Sequence, residues 1–188
     1  MERLAVVIVF TVTALTPLEA QDTVPPAPPH DSVQAESAPP PPPPSPEQRR
    51  FLDGLRITSR GIAQMKDGLS RVTRAESTRD ATAQRRAGRF LAGLCGSGRA
   101  FLKRGRPQLS TTVYEDTVRL KARRLVTQID SLIAYTPTCE DSAGRRPSAT
   151  AVALAKRVKT YDAALRDFRL AVGLPVRDDS SKTAKRQP

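Results

Sequence analysis

Apolar residues recur every three or four positions over most of the chain beyond residue 45, which is the spacing of one apolar stripe along a helix. This spacing predicts four helices, at 46–74, 78–104, 113–135 and 149–172. No segment shows sustained alternation of apolar and polar residues, so no sheet is predicted. Four amphipathic helices bury their stripes most simply against one another. The sequence therefore predicts an all-α, four-helix bundle-like domain.

The stripes differ in the size of their residues. The first predicted helix carries large apolar side chains and one polar position, in the order Phe51, Leu55, Thr58, Ile62, Met65, Leu69 and Val72. The second predicted helix has fewer large apolar residues on its stripe, which consists of Ala83, Ala87, Phe90, Leu94 and Phe101. The fourth is the most regular, with Ala151, Leu154, Val158, Tyr161, Leu165, Phe168 and Val172.

Several helix ends are marked by residues with a known role there. Ser45, Pro46 and Gln48 form the pattern of a capping box with proline at the first helical position, which predicts a helix start. Thr112 and Glu115 offer a second such box before the third predicted helix. Gly173 followed by a proline predicts the end of the fourth. By composition, residues 136–147 are expected to form a loop.

The chain ends differ in composition from this domain. Residues 1–20 combine an early arginine, a short apolar run and a small residue before a cleavage point, which predicts a secretory signal peptide; a retained anchor is the alternative. Residues 21–45 form a proline-rich, disordered spacer, residues 46–175 the bundle, and residues 176–188 a disordered basic tail. We therefore expect an exported protein, periplasmic or extracellular.

Two cysteines, Cys95 and Cys139, bear on this expectation. Exported proteins meet an oxidising environment, so the pair is predicted to form a disulfide, with two free thiols as the alternative. If the second and third helices were continuous and antiparallel, the two residues would lie roughly 20 Å apart, too far for a disulfide. A break at Gly96–Gly98 or a folded-back loop at 136–147 would bring them together.

Small residues with a period of seven suggest close helix packing. Gly54, Gly61 and Gly68 lie in a line on the first helix, where each costs about 1 kcal/mol relative to alanine. The second helix offers Ala81, Gly88 and Cys95 at the same period. We expect the two lines to face each other. The alternative is an exposed glycine line that receives a partner helix or a lipid.

Most familiar catalytic sites are excluded by residue type. The one histidine, His30, lies in the proline-rich segment, so no histidine-based triad or metal site is expected in the domain. The glycines in 93–99 lack the lysine that ends a phosphate-binding loop. The sequence predicts no cofactor, no metal and, on balance, no catalysis.

Charge is the feature that remains. The full chain has a formal charge of +12, and from residue 47 onward it holds 30 Lys and Arg against 14 Asp and Glu. Such a field attracts anions, and arginine binds phosphate and carboxylate with two parallel hydrogen bonds. The predicted anion-binding residues are Arg85, Arg86, Arg89, Arg99, Lys103, Arg104, Arg106, Arg119, Lys121, Arg123, Arg124, Lys156, Arg157 and Lys159.

These observations predict an interaction module that binds an anionic envelope component or an acidic protein. Export and the lack of an aromatic stacking surface argue against nucleic acid, whereas peripheral contact with an anionic membrane stays open. Two alternatives remain: an enzyme or carrier with a core pocket lined by Thr58, Ser97 and Tyr161, and a homo-oligomer joined through the glycine line. The identity of the partner and the oligomeric state are not determined by the sequence.

Overall fold

The computed structural model describes residues 43–176, and it contains four long helices within them. They are α1 (Pro46–Ser77), α2 (Ala81–Gly105), α3 (Asp116–Ala143) and α4 (Pro147–Ala171). Two short 3₁₀ turns, Arg106–Gln108 and Thr111–Val113, connect α2 to α3. The predicted signal peptide and most of the predicted spacer and tail lie outside the described residues.

The helices form an antiparallel bundle with neighbours in chain order. α1 packs against α2 and α4, and α3 packs against α2 and α4. Residue numbers that rise along one helix fall along its neighbour. The contacts that show this are Gly54 with Gly105 and Gly61 with Gly98, Gly88 with Ala143 and Cys95 with Cys139, and Lys121 with Asp167 and Tyr135 with Thr150. No strand occurs among residues 43–176. The predicted all-α, four-helix bundle-like fold is confirmed.

Some predicted helix ends are correct and others are not. The Ser45 hydroxyl accepts a hydrogen bond from the Gln48 amide at 3.2 Å, and the Gln48 side chain returns one, so the first capping box is present. Gly173 ends α4 in the left-handed region. The second box is wrong: residues 111–113 form a 3₁₀ turn, and α3 starts at Asp116 without a side-chain cap.

The loop expected at 136–147 is also wrong, because α3 continues to Ala143 through an internal proline. Pro137 has no amide hydrogen to donate to the carbonyl of Ile133, four residues earlier. The hydroxyl of the buried Thr136 donates to that carbonyl instead, at 2.8 Å. Thr136, Cys139 and Ala143 thereby continue the buried stripe of α3.

The disulfide between Cys95 and Cys139 is present, with Cα atoms 6.1 Å apart and both residues fully buried. The predicted break at Gly96–Gly98 does not occur, since α2 is continuous to Gly105. Instead, the Arg106–Asp130 ion pair places the end of α2 level with the middle of α3. The 14 residues of α3 before Asp130 therefore extend about 21 Å past that level, and residues 106–115 span this distance. The extended connection and the longer α3 together bring the cysteines level.

The glycine line of α1 lies directly against α2. A Cβ atom at Gly61 would lie 2.6 Å from the carbonyl oxygen of Gly98, and one at Gly54 would lie 2.9 Å from that of Gly105. The facing line on α2 is therefore Leu91, Gly98 and Gly105, which shares the period of seven. Because α2 covers these glycines, they are not available to a second chain.

The predicted partner line of α2 was wrong. Ala81 is exposed, Gly88 touches Ala143 and Pro147, and Cys95 bonds to α3. The apolar stripe of α2 is also displaced by one position, since Leu91 and Leu102 are buried whereas Phe90 is 43% exposed beneath the guanidinium of Arg71. The interface centre is formed by small residues, and large side chains flank it.

The core of the bundle contains a tyrosine that links α1 and α4. Tyr161 is 1% exposed, and its hydroxyl lies 3.0 Å from the Ser59 hydroxyl. Burial raises the pKa of Tyr161 to about 12 from its usual value near 10, although the bond to Ser59 acts in the opposite direction.

This pKa predicts a loss of stability at high pH. Between about pH 10 and 12 the unfolded chain ionises its tyrosine first, so the contribution present below pH 10 is lost as pH rises. We expect Tyr161→Phe to be slightly less stable than wild type at neutral pH, but to lose less stability in this alkaline range. Urea unfolding at pH 8 and at about pH 11 measures both effects. Parallel losses in the two proteins would show that Tyr161 does not carry the effect.

Candidate anion-binding surface

Cations outnumber anions across the described bundle. Residues 43–176 hold 26 Lys and Arg and 12 Asp and Glu. Within this range six of the cations lie within 4 Å of a carboxylate, at Arg56, Lys66, Arg71, Arg99, Arg106 and Lys121. Most of the basic side chains on this part of the surface therefore have no acidic neighbour to neutralise them.

Two of the fourteen predicted anion-binding residues form ion pairs between α2, its connection and α3. Arg99 bonds to Glu140 at 2.9 Å. Arg106 donates two hydrogen bonds to the carboxylate of Asp130, at 2.5 and 3.0 Å, and these bonds raise the pKa of the guanidinium. Both arginines hold the α2 side of the bundle to α3.

Three more of the fourteen are also engaged within the chain. The Arg119 side chain donates to the carbonyl of Tyr114 at 2.6 Å, and Lys121 lies 3.8 Å from Asp167. Arg157 lies over the ring of Tyr135, 4.0 Å from its centroid. Five predicted binding residues therefore support the fold, which the sequence clusters did not indicate.

The other nine predicted residues are exposed, and none makes an ion pair or side-chain hydrogen bond with the rest of residues 43–176. They are Arg85, Arg86, Arg89, Lys103, Arg104, Arg123, Arg124, Lys156 and Lys159. These nine residues define the basic surface. They come from three helices, and their guanidinium and ammonium groups are exposed to solvent and can meet an anion without breaking an internal ion pair or hydrogen bond of their side chains.

Sequence reasoning missed a pair of arginines in the turn between α3 and α4. Arg145 and Arg146 are exposed there and line, with Ser142, an open hollow of about 460 Å³. They were passed over because residues 136–147 were expected to form a long loop. The available signal was the order Gly144-Arg145-Arg146-Pro147, which is typical of a short turn between two helices.

The residues proposed to line a core pocket do not come together. The Thr58 hydroxyl is buried and donates to the carbonyl of Leu55 at 2.9 Å. Tyr161 bonds to Ser59, and Ser97 lies exposed on the outside of α2, 3.0 Å from Gln64. Each of these polar groups is satisfied by its own neighbours, so no shared site is formed.

The described residues also bear on other types of site. No cluster of three metal-binding side chains occurs there, and no buried side-chain polar atom lacks a hydrogen-bond partner. In the same range, no helix has both the length and the apolar character needed to cross a lipid bilayer. None of the protein-family models, curated proteins or solved structures compared with this chain matches it.

Proposed function

We propose that this chain is an exported, non-catalytic helical module that binds an anionic envelope or extracellular component through its basic surface. The observation that carries the proposal is the division of the predicted cations: five secure the helices, and nine stand exposed with no carboxylate within 4 Å among the described residues. Structural needs account for the first group and leave the second unexplained.

Two further features support the proposal. Arginine dominates the cations, and its planar group forms paired hydrogen bonds with phosphate and carboxylate that lysine cannot form. The disulfide agrees with an oxidising compartment, where envelope and extracellular anions are the available partners. Because the exposed cations are spread over α2, α3 and α4, we expect recognition by charge and not by a single deep pocket.

The test is binding of the full chain to defined anionic surfaces. We expect it to bind at least one of linear polyphosphate, phosphatidylglycerol vesicles and polyglutamate, and not phosphatidylcholine vesicles. Affinity should fall at least tenfold between about 50 and 200 mM NaCl, because bound cations displace counterions. Absence of binding to all three, or binding that ignores salt, would refute the proposal.

A variant isolates the basic surface from the fold. Replacing its nine residues by glutamine should abolish binding while leaving the helical content unchanged, since none of the nine side chains makes an ion pair or hydrogen bond among residues 43–176. A second variant, which removes only two charges, replaces Arg99 and Arg106 by glutamine to separate loss of stability from loss of binding. This second variant should lower stability, through loss of the contacts to Glu140 and Asp130, and leave most of the binding.

A further inference from the structure

Four arginines from separate parts of the chain are brought together at one end of the bundle. Arg85 and Arg89 lie on successive turns of α2, and Arg145 and Arg146 lie in the α3–α4 turn. The helices touch at this point, since Gly88 contacts the carbonyl of Ala143 and the side chain of Pro147. We call these four arginines the basic step.

The contact at Gly88 sets how far α2 extends along the bundle axis relative to the α3–α4 turn. Seven residues of α2 precede Gly88, so the α1–α2 hairpin extends about 10 Å beyond this contact. The Arg89 side chain runs beside Gly144, where a Cβ atom would lie 3.6 Å from its Cγ. Arg85 therefore lies on the projecting part of α2, which we call the wall, whereas Arg89 lies level with the α3–α4 turn. This turn, with the hollow beside Ser142, we call the floor.

The acidic residues nearest in sequence to the basic step are Asp80, Glu140 and Asp141. Glu140, the nearest acid on the α2 side of α3, is already bonded to Arg99. Asp80 accepts the amide of Thr82 as the cap of α2, and Asp141 is exposed on α3 with no ion pair among the described residues. α4 begins at Pro147 without a side-chain cap, and the positive end of its helix dipole lies beside the negative end of α3 at Ala143, so the two ends largely offset each other.

The shape of the step selects among anions. A flat bilayer would meet the projecting hairpin first and would be held away from the floor, whereas an extended chain fits along the angle between wall and floor. A tetrahedral phosphate offers oxygens in several directions and accepts from guanidinium groups on both sides, which a planar carboxylate does less well.

We propose that the basic step binds the phosphate groups of an extended, phosphate-bearing polymer. This inference rests on the proposed function and narrows it to one location and one chemistry. It gives separate roles to the nine-residue basic surface, which attracts polyanions over a distance, and to the step, which holds phosphate at close range. Arg85 and Arg89 belong to both.

The probe is linear polyphosphate, and the experiment compares two four-residue variants of the full chain. The step variant changes Arg85, Arg89, Arg145 and Arg146 to glutamine. The control variant removes the same charge elsewhere, at the exposed residues Arg49, Arg50, Arg60 and Arg166, which belong neither to the basic surface nor to the step. We expect at least tenfold weaker binding for the step variant and less than threefold for the control, with unchanged helical content in both.

Three results would overturn the inference. Equal losses in the two variants would show that only total charge matters, and the proposed function would then stand without the step. Binding of phosphatidylglycerol vesicles or polyglutamate at least as tightly as polyphosphate would exclude a preference for a phosphate polymer. Failure of the wild-type chain to bind any of the three probes would remove the proposed function as well.

Discussion

Loss of the disulfide is expected to lower the free energy of unfolding by about 4 kcal/mol. The bond joins residues 44 positions apart, so it removes a large amount of conformational freedom from the unfolded chain. We expect reduced wild type to unfold at a much lower urea concentration than the oxidised protein, and Cys95→Ala with Cys139→Ala to behave similarly.

Reduction and the double alanine variant together separate the effect of the covalent bond from the effect of packing the two sulfur atoms. Reduction keeps both sulfur atoms in the core, whereas alanine removes them and leaves space between α2 and α3, where both residues are fully buried. The alanine variant should therefore be somewhat less stable than reduced wild type. Coincident urea curves for oxidised and reduced wild type would contradict the stabilising role assigned to the disulfide.

The second large effect is expected at the contact between α1 and α2. In Gly61→Ala, the added methyl would lie 2.6 Å from the carbonyl oxygen of Gly98 and 2.9 Å from the Cβ of Phe101. Backbone atoms must move to relieve this contact, so we expect destabilisation of roughly 2 kcal/mol despite alanine's better helix propensity. Urea unfolding of the oxidised protein measures the change.

α2 itself supplies the matched control. Gly93 lies in the interior of α2, as Gly61 lies in the interior of α1. Gly93 is exposed, however, and no atom lies within 4 Å of its Cβ position. Gly93→Ala should therefore raise stability by up to about 1 kcal/mol, from propensity alone. Opposite signs at Gly61 and Gly93 are the expected outcome, and a gain at both positions would show that the helices are not held together by the glycine contact.

The fold class was predictable because its evidence is local. The Ser45 capping box, the glycine after α4 and the apolar stripes of α1 and α4 each depend on residues within a few positions. Register was not predictable in this way. The level of α3 relative to α2 depends on how far the 106–115 connection extends before it turns, which apolar spacing does not encode.

The errors share a physical origin in pairs of residues that compensate for each other. Pro137 breaks the helical pattern when taken alone, but Thr136 supplies the hydrogen bond that the proline cannot. Large residues predict the wrong stripe for α2, because Gly98 and Gly105 form the interface and allow the α1 backbone to approach. The effect of one residue in such a pair can be judged only when the position of the other residue is known.

The candidate surface was predictable in charge and not in detail. Clusters such as Arg123 and Arg124 are evident from the sequence, but nothing in the spacing distinguishes them from Arg106, whose carboxylate partner Asp130 lies 24 residues away. Arg145 and Arg146 become part of a candidate site only because the contact at Gly88 places α2 beside their turn. The sequence thus indicates which cations exist, and the packing determines which of them are available.

The most direct test of an electrostatic binding module is capture from the natural environment. The full chain is immobilised, exposed to envelope and secreted fractions of the source organism, and eluted with rising salt and then with detergent. We predict that the bound material is anionic, leaves at moderate salt, and is not retained by the nine-residue glutamine variant. A single protein that survives high salt and still binds that variant would contradict the account, because an apolar contact would then hold it.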